Sequence, residues 1–364
     1  MRIAQVAPLA EAVPPRRYGG TERIVSYLTE ELVRQGHRVS LFASADSLTT
    51  ATLMPGRHRA TRLDPACPDP IPSTMLMLDR VLRIANEFDI LHFHIDCLHF
   101  PLFRHVAKRT LTTLHGRLDL PDLYPFYHEF DDMPVVSISN SQRAPVPDAH
   151  WAGTVYHGVP AALYRPSVEL GGYLAFLGRI SPEKQPDEAI QIAIRTGLPL
   201  KMAAKVDRAD IDYFQDHIRP MLDHPLVDMI GEIGDNAKSD FLGNARALLF
   251  PIDWPEPFGM VMIEAMAAGT PVIAYRCGSV MEVVEHGLTG FIVDSQDEAV
   301  AAVGMLGELD RRKIRARFVE RFSAERMAHD YVELYRKAAQ GRLSAGPDLP
   351  KRMGRRKGVA GKAS

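Results

Sequence analysis

Residues 1–44, MRIAQVAPLAEAVPPRRYGGTERIVSYLTEELVRQGHRVSLFAS, carry the pattern that decides the fold. Ile3–Ala7 is a short apolar run with the character of a buried strand. The pair Gly19–Gly20 then opens a stretch, 21–35, in which Ile24, Val25, Leu28 and Leu32 recur on one helical face. Gly36 stands just past that stretch, where a left-handed cap is wanted. Arg38–Phe42 reads as a second strand. Strand, helix, strand is the unit of a right-handed crossover between parallel strands.

The unit recurs. Ile90–Phe93, Thr110–Leu114 and Pro134–Ser139 continue the strand series. The segment 160–172, PAALYRPSVELGG, is rich in Pro and Gly and lacks periodicity, so the domain junction is placed there. A second series follows, with strands at Leu174–Leu177, Leu198–Ala203, Val227–Ile230, Ala247–Pro251, Val272–Ala274 and Phe291–Val293. Its helix Phe258–Ala268 ends at Gly269, and Pro271 blocks continuation. The fold class is therefore α/β, two Rossmann-like doubly wound domains, 1–165 and 166–325, facing across a cleft at the carboxyl ends of their strands. Ala324–Ala339 is a helical stretch. Residues 341–364 are rich in Gly, Lys and Arg, which predicts a disordered basic tail; anionic lipid and RNA are the alternatives to a solvated tail for its cluster Lys351, Arg352, Arg355, Arg356 and Lys357.

The totals narrow the function classes. A chain of 364 residues with 46% apolar residues can fill two cores, and 43 basic against 45 acidic residues create no field for nucleic acid. Three cysteines, Cys67, Cys97 and Cys277, form neither a disulfide framework nor a zinc knuckle, which points to a reducing compartment. The N-terminal apolar stretch is too short for a secretory signal, and no run of about 18 apolar residues exists to cross a membrane. The expectation is a cytoplasmic protein, with peripheral membrane contact left open and the oligomeric state unreadable.

Five stretches could carry chemistry. In Trp254–Val272, WPEPFGMVMIEAMAAGTPV, Glu256 precedes a Pro-Phe-Gly turn and Glu264 lies inside the following helix. A glycine at a helix start lets backbone N–H groups approach a ligand at the positive end of the helix dipole. Carboxylates there can accept from sugar or ribose hydroxyls; alternatively Glu256 caps the helix and Glu264 is solvated. In Phe176–Lys184, FLGRISPEK, a strand is read as ending at Gly178, with Arg179 and Lys184 leaving the loop after it; two cations on one loop suit a diphosphate. Gly19 and Gly20 before a helix are a possible phosphate cradle. In TTLHG a strand delivers His115 to its carboxyl edge. In LHFHIDCLHF, alternation would place His92, His94 and Asp96 on one strand face at metal-ligand spacing, with His99 beyond.

EPFG followed by EAMAAGTPV resembles the E-x7-E signature of the family 4 glycosyltransferases, and GRISPEK, YGGTER, DILHFH and TTLHG resemble other motifs of that family. The GRISPEK form is one residue shorter than G-R-x5-K. The resemblance extends over roughly residues 1–340, and 1–44 is similar to a branch that includes the avilamycin-pathway transferase and tetrahydrobiopterin glucosyltransferases. It implies the GT-B fold, an acceptor-side N-terminal domain, a nucleotide-sugar domain, and a helix over 326–340 crossing back to the N-terminal domain. It implies that Glu256 contacts the donor sugar with the backbone amides of Phe258, Gly259 and Met260, and that Glu264 holds the ribose. Arg179 and Lys184 would hold the leaving diphosphate, Gly19 and Gly20 would close over it, and His115 would position the donor sugar. The base would sit near Gly231–Asn236, and Glu282 would be a helix residue after a loop that shapes the site. DILHFH is then a strand end rather than a metal site, with His94 or Asp96 on the acceptor side. The implied activity is retaining transfer of a hexose from a nucleotide diphosphate sugar, UDP-glucose by expectation, to a small-molecule or glycan hydroxyl, with no metal and no cofactor. The rival readings are a nucleotide-sugar 2-epimerase and a non-catalytic nucleotide-sugar-binding protein.

Overall fold

The computed structural model describes residues 1–16, 19–62 and 64–343. Tyr18 of the glycine loop, the side chain of Asn236, and the tail from residue 344 on lie outside the described residues. Two all-parallel sheets organise the chain. The first contains β1 (Arg2–Val6), β2 (Arg38–Ser44), β3 (Thr52–Arg57), β4 (Ile90–Phe93), β5 (Thr110–Thr113), β6 (Val135–Ser137) and β7 (Trp151–Thr154), in the order β3-β2-β1-β4-β5-β6-β7. The second contains β8 (Tyr173–Ile180), β9 (Leu200–Val206), β10 (Val227–Met229), β11 (Ala245–Phe250), β12 (Val272–Tyr275) and β13 (Gly290–Val293), in the order β10-β9-β8-β11-β12-β13. Each sheet reverses its winding once, between β1 and β4 and between β8 and β11. Helices leave a crevice at such a reversal, so ligands bind there.

Central strands are buried on both faces, which is why their apolar runs were legible; β1, β4 and β5 are buried almost throughout. Two edge strands were not anticipated. β3 carries Pro55 and Gly56, and both are tolerable because β3 bonds to only one neighbour. β7 has four residues and a glycine, packed by Leu334. β8 continues past Gly178 to Ile180, so Arg179 belongs to the strand and not to the loop after it. The glycine helix runs Gly20–Arg34, and Gly36 supplies the left-handed residue beyond it with φ 83°.

The last helix, Ala324–Ala339, packs Met327, Tyr331, Val332 and Tyr335 against Ile3, Ile24, Leu28 and Ile90 of the first sheet and its helix. Its start is tied to the other side of the junction, where Val159 donates to the Phe322 carbonyl and Ala324 donates to the Val159 carbonyl. Glu282, on the short helix Val280–Val283, does not line the cleft. Its carboxylate accepts from the backbone N–H groups of Asn140 (2.7 Å) and Ser141 (2.7 Å) and from the Tyr156 hydroxyl (3.0 Å). It clasps the two halves.

Candidate active site

The two winding reversals face one cleft of about 590 Å³, lined from both halves. The first half contributes the turn after β1. A Cβ on Gly19 would lie 2.8 Å from the Pro15 Cβ, so a side chain is excluded, whereas a Cβ on Gly20 would meet nothing within 4 Å. The helix that starts at Gly20 therefore exposes its first-turn N–H groups to the cleft without obstruction, an arrangement that favours an anion.

The second half supplies the charges. Arg179, next to last in β8, pairs with Glu183 and lies 3.6 Å from Asp210 and 3.9 Å from Asp207. Lys184 pairs with Glu256 and sits over the rings of Trp254 (5.4 Å) and Phe250 (5.8 Å). The Trp254 indole N–H also donates to Glu256, at 2.9 Å. Both donors take the same oxygen, Oε2, which leaves Oε1 without a hydrogen-bond partner among the described residues. The backbone of Glu256 is gripped as well: Ser279 N–H donates to its carbonyl at 3.1 Å. A Cβ on Gly278, whose φ is +55°, would fall 2.5 Å from the Glu256 nitrogen. Sequence reading placed this GSVME stretch near the site without detecting that close approach.

Gly259, with φ +77°, precedes the helix Met260–Ala267, and a Cβ there would meet Met262 Cε at 2.6 Å. Phe258 is buried, and its carbonyl accepts from Ser279 Oγ at 2.8 Å. The helix thus begins at Met260, two residues later than the apolar pattern suggested. Glu264 is not the solvated residue of the bland reading: it is 2% exposed. Its Oε1 accepts from Lys238 Nζ at 2.9 Å, while its Oε2 is buried without a hydrogen bond. A buried carboxylate oxygen left bare costs about 1–3 kcal/mol or more, which a hydroxyl donor in the cleft would relieve. Lys238 lies 3.7 Å from Asp235, and Asp235 pairs with Arg23 on the glycine helix, so the ion network crosses the cleft. Neither Lys238 nor Arg23 was picked out from the sequence. The loop 230–234 between β10 and the helix Asp235–Gly243 brings Glu232 and Ile233 to the same end of the cleft.

His115 follows β5 and lines both the main cleft and a second cavity of about 350 Å³. Its ring stacks with His157, centroids 5.2 Å apart. Burial pushes His115 down to about 3 and holds His92, His94, His99 and His157 well below the ordinary imidazole range, so all five are neutral at neutral pH. The second cavity is lined by Leu9, Ile95, Leu98 and Thr74, together with Asp96, which holds a left-handed backbone (φ 52°).

The metal-spaced reading of LHFHIDCLHF fails on its partners. β4 ends at Phe93, so Asp96 is beyond the strand. His92 bonds to the Tyr335 hydroxyl (2.7 Å) and Thr113 Oγ1 (2.8 Å), and His94 to Gln5 Oε1 (2.7 Å) and His115 (2.9 Å). Both nitrogens of each ring are committed to protein groups. His99 stacks on Phe93 and bonds to Thr112. Among the described residues no group of three or more His, Cys, Asp or Glu could hold a metal ion. No described helix is long and apolar enough to cross a membrane.

A glycine-opened helix, a basic pair and two glutamates surround one cleft between the halves, and comparison with known proteins gives the class as glycosyltransferase. Residues 18–144 match the family model described as Glycosyltransferase Family 4, and residues 168–323 match the model described as glycosyl transferases group 1. The chain belongs to the family 4 glycosyltransferases and has the GT-B fold.

Among its relatives is phosphatidyl-myo-inositol mannosyltransferase of Mycolicibacterium smegmatis, 26% identical over 91% of this chain and 90% of the relative. The D-inositol 3-phosphate glycosyltransferase of Rhodococcus erythropolis is 30% identical over 46% of this chain and 41% of its own. Of solved structures, AviGT4, a glycosyltransferase involved in avilamycin A biosynthesis, aligns with a TM-score of 0.72 and 26% identity, covering 94% of this chain and 98% of that one. Anabaena HepE with UDP and glucose aligns at 0.70 and 18% identity over 92% and 98%, a likeness of fold.

Proposed function

We propose that this enzyme moves a hexose from a nucleoside diphosphate to a hydroxyl acceptor with retention at the anomeric carbon and without a metal ion. UDP is the carrier and glucose the sugar in the first reading. The mannosyltransferase name of a relative matched over nine-tenths of its length makes a mannosyl donor the second. The names of the inositol-linked relatives support a hydroxyl of a small polyol or its lipid conjugate as acceptor. The observation that carries the reading is the convergence of Arg179, Lys184 and the N–H groups behind Gly20 on one cleft with two glutamates that each keep an oxygen free of hydrogen bonds.

The residues divide the work. Arg179, Lys184 and the glycine-helix N-terminus hold the diphosphate, supplying the positive field a metal would otherwise bring. Glu264 accepts from the ribose hydroxyls through Oε2. Glu256 Oε1, with the N–H groups around Gly259 and Met260, holds the sugar, and His115 supports it from the other wall. No carboxylate is placed as a nucleophile, so the substitution is front-side. The bond from the anomeric carbon to the diphosphate oxygen breaks, with its electrons leaving on the diphosphate. The acceptor oxygen bonds to the same face, and its proton passes to the departing diphosphate oxygen. Lys184, paired with Glu256 when no donor is bound, exchanges that partner for the diphosphate and frees the whole carboxylate for the sugar.

The test is donor hydrolysis in chelator, followed by proton NMR of the released hexose. Release of the donor's own anomer first supports retention without a metal. The inverted anomer, or activity that returns only with a divalent cation, overturns it. Formation of a glycal or a 2-epimer would favour the epimerase.

A further inference from the structure

Trp254 touches three charged groups of the cleft, one of them from the opposite half. Its indole N–H donates to Glu256 Oε2 at 2.9 Å, Lys184 Nζ lies over its ring at 5.4 Å, and the Arg117 guanidinium stands 5.8 Å from the ring centroid. An indole nitrogen only donates and an ionised carboxylate only accepts, so the direction of the first bond is fixed.

The stretch that carries the indole is held at both ends. Asp253 N–H donates to the Glu183 carbonyl at 3.0 Å, which ties it to the segment after β8. Glu256 N–H donates to the Trp254 carbonyl at 2.7 Å, closing a three-residue turn around Pro255, whose ring fixes its own φ. Indole and carboxylate thus leave one short, stiff piece of backbone.

Lys184 is the other partner of Glu256 Oε2. On the proposed function it exchanges that carboxylate for the diphosphate. Trp254 is then the one side chain among the described residues still bonded to Glu256. Without it, a carboxylate released by its lysine would be free to turn away from the sugar. Arg117 brings the acceptor-side half to the same ring. It follows His115 and Gly116 beyond β5, and Asp119 grips its guanidinium with two bonds, at 2.6 and 2.8 Å. A cation placed over an indole in this way attracts the ring, and a contact between halves exists only while the cleft is closed.

We propose that Trp254 is a positioning residue that keeps Glu256 aimed at the donor sugar once Lys184 has turned to the diphosphate, with Arg117 steadying the indole when the halves meet. This rests on the donor reading above and adds what holds Glu256 during the exchange.

The test uses the full chain labelled with 15N. The chain has two tryptophans and so two indole N–H signals. That of Trp254 is the one lost in Trp254→Phe and the one whose exchange with water quickens in Glu256→Ala. In the wild type its exchange should stay slow when UDP is added; exchange as fast as in Glu256→Ala would mean that the bond breaks along with that of Lys184, and overturns the proposal. Trp254→Phe keeps a ring for Lys184 and Arg117 and removes the N–H. With UDP-glucose, or whichever hexose donor proves active, its kcat should fall about tenfold, the scale of one hydrogen bond to a charged group. Its UDP dissociation constant should stay within about twofold, because the indole does not hold the diphosphate. Wild-type kcat in Trp254→Phe overturns the proposal, as does UDP affinity lost in step with kcat, the mark of a merely structural residue. Arg117→Ala should lower kcat about threefold, the scale of an exposed cation–π contact. It should cost nothing further in the Trp254→Phe background, since it acts through the indole N–H. Equal losses in both backgrounds overturn the part given to Arg117. If the wild type binds no nucleoside diphosphate, the donor reading falls, and the aim at the sugar with it; exchange in the wild type against Glu256→Ala still decides the bond between indole and carboxylate.

Discussion

Two patches of the cleft, one on each half, are made of opposite materials. The patch from the second sheet is ionic: Arg179 pairs with Glu183, Lys184 with Glu256 and Lys238 with Glu264. The first half brings charge as well, with Glu22, Arg23, Arg62 and Arg117, but around His115 it is neutral, a stack of uncharged imidazoles backed by Gln5, Thr113 and two tyrosines. On the proposed function the difference follows the substrate. A diphosphate that departs with growing charge needs cations already in place, while an uncharged hexose needs hydroxyl-directed groups that do not compete for the anion. A protonated histidine opposite Lys184 would add charge where none develops, and burial prevents it.

The contrast can be broken most forcefully at Glu256. Glu256→Ala should lower kcat by about a hundredfold or more, in the range of one lost transition-state contact to a charged group. UDP affinity should hold or rise, since Lys184 is released from its ion pair. Initial rates and calorimetry on the same preparation check both halves, and unchanged kinetics would remove Glu256 from the donor site. Next in size, Arg179→Ala and Lys184→Ala should each weaken UDP binding about tenfold and lower turnover with it, because both are proposed to hold the leaving group. A loss of turnover alone would assign them to the sugar instead.

Glu264→Gln sharpens the same wall. It keeps the shape but removes the charge facing Lys238, so affinity for UDP should fall about fivefold to tenfold while affinity for inorganic pyrophosphate, measured by competition, is kept. Equal loss for both ligands would mean that Glu264 supports the phosphate site and not the nucleoside.

The neutral wall answers to acid. The five buried histidines have folded values below the ordinary 6.5, so between 6.5 and their folded values the unfolded chain binds protons that the folded chain refuses. Stability is full above about pH 6.5 and falls as the pH drops, by about 1.4 kcal/mol per pH unit for each such histidine. His99→Phe keeps the stack on Phe93 and removes one of them. Urea unfolding at pH 7.5, 6.0 and 5.0 should show a shallower acid slope in this variant. Identical slopes would mean that His99 does not contribute.

What was legible in the sequence follows the same division. Central strands such as Ile90–Phe93 announce themselves because burial on both faces makes them continuously apolar. The edge strands Thr52–Arg57 and Trp151–Thr154 escaped because Pro55, Gly56 and Gly153 are breakers in the interior of a sheet and tolerable at its rim. Gly178 was taken for a strand end, whereas it is a strand residue whose missing Cβ keeps the space beside it open. The charged residues of the cleft were found through motifs with fixed spacing. Their partners were not, because Lys238 reaches Glu264 and Arg23 reaches Asp235 only after both sheets are built. Gln5 did carry a signal, one amide inside an otherwise apolar strand, and its meaning required its three partners, His92, His94 and Tyr335.

The proposed function stands or falls on Arg179, Lys184 and the glycine-helix N-terminus binding a nucleoside diphosphate without a metal ion. Calorimetric titration of the full chain with UDP, GDP and ADP in chelator tests it most directly. Metal-free binding of one of the three, UDP by expectation, weakened about tenfold in Lys184→Ala, is the expected result. Binding that appears only when a divalent cation is restored, or binding indifferent to Lys184→Ala, would contradict it.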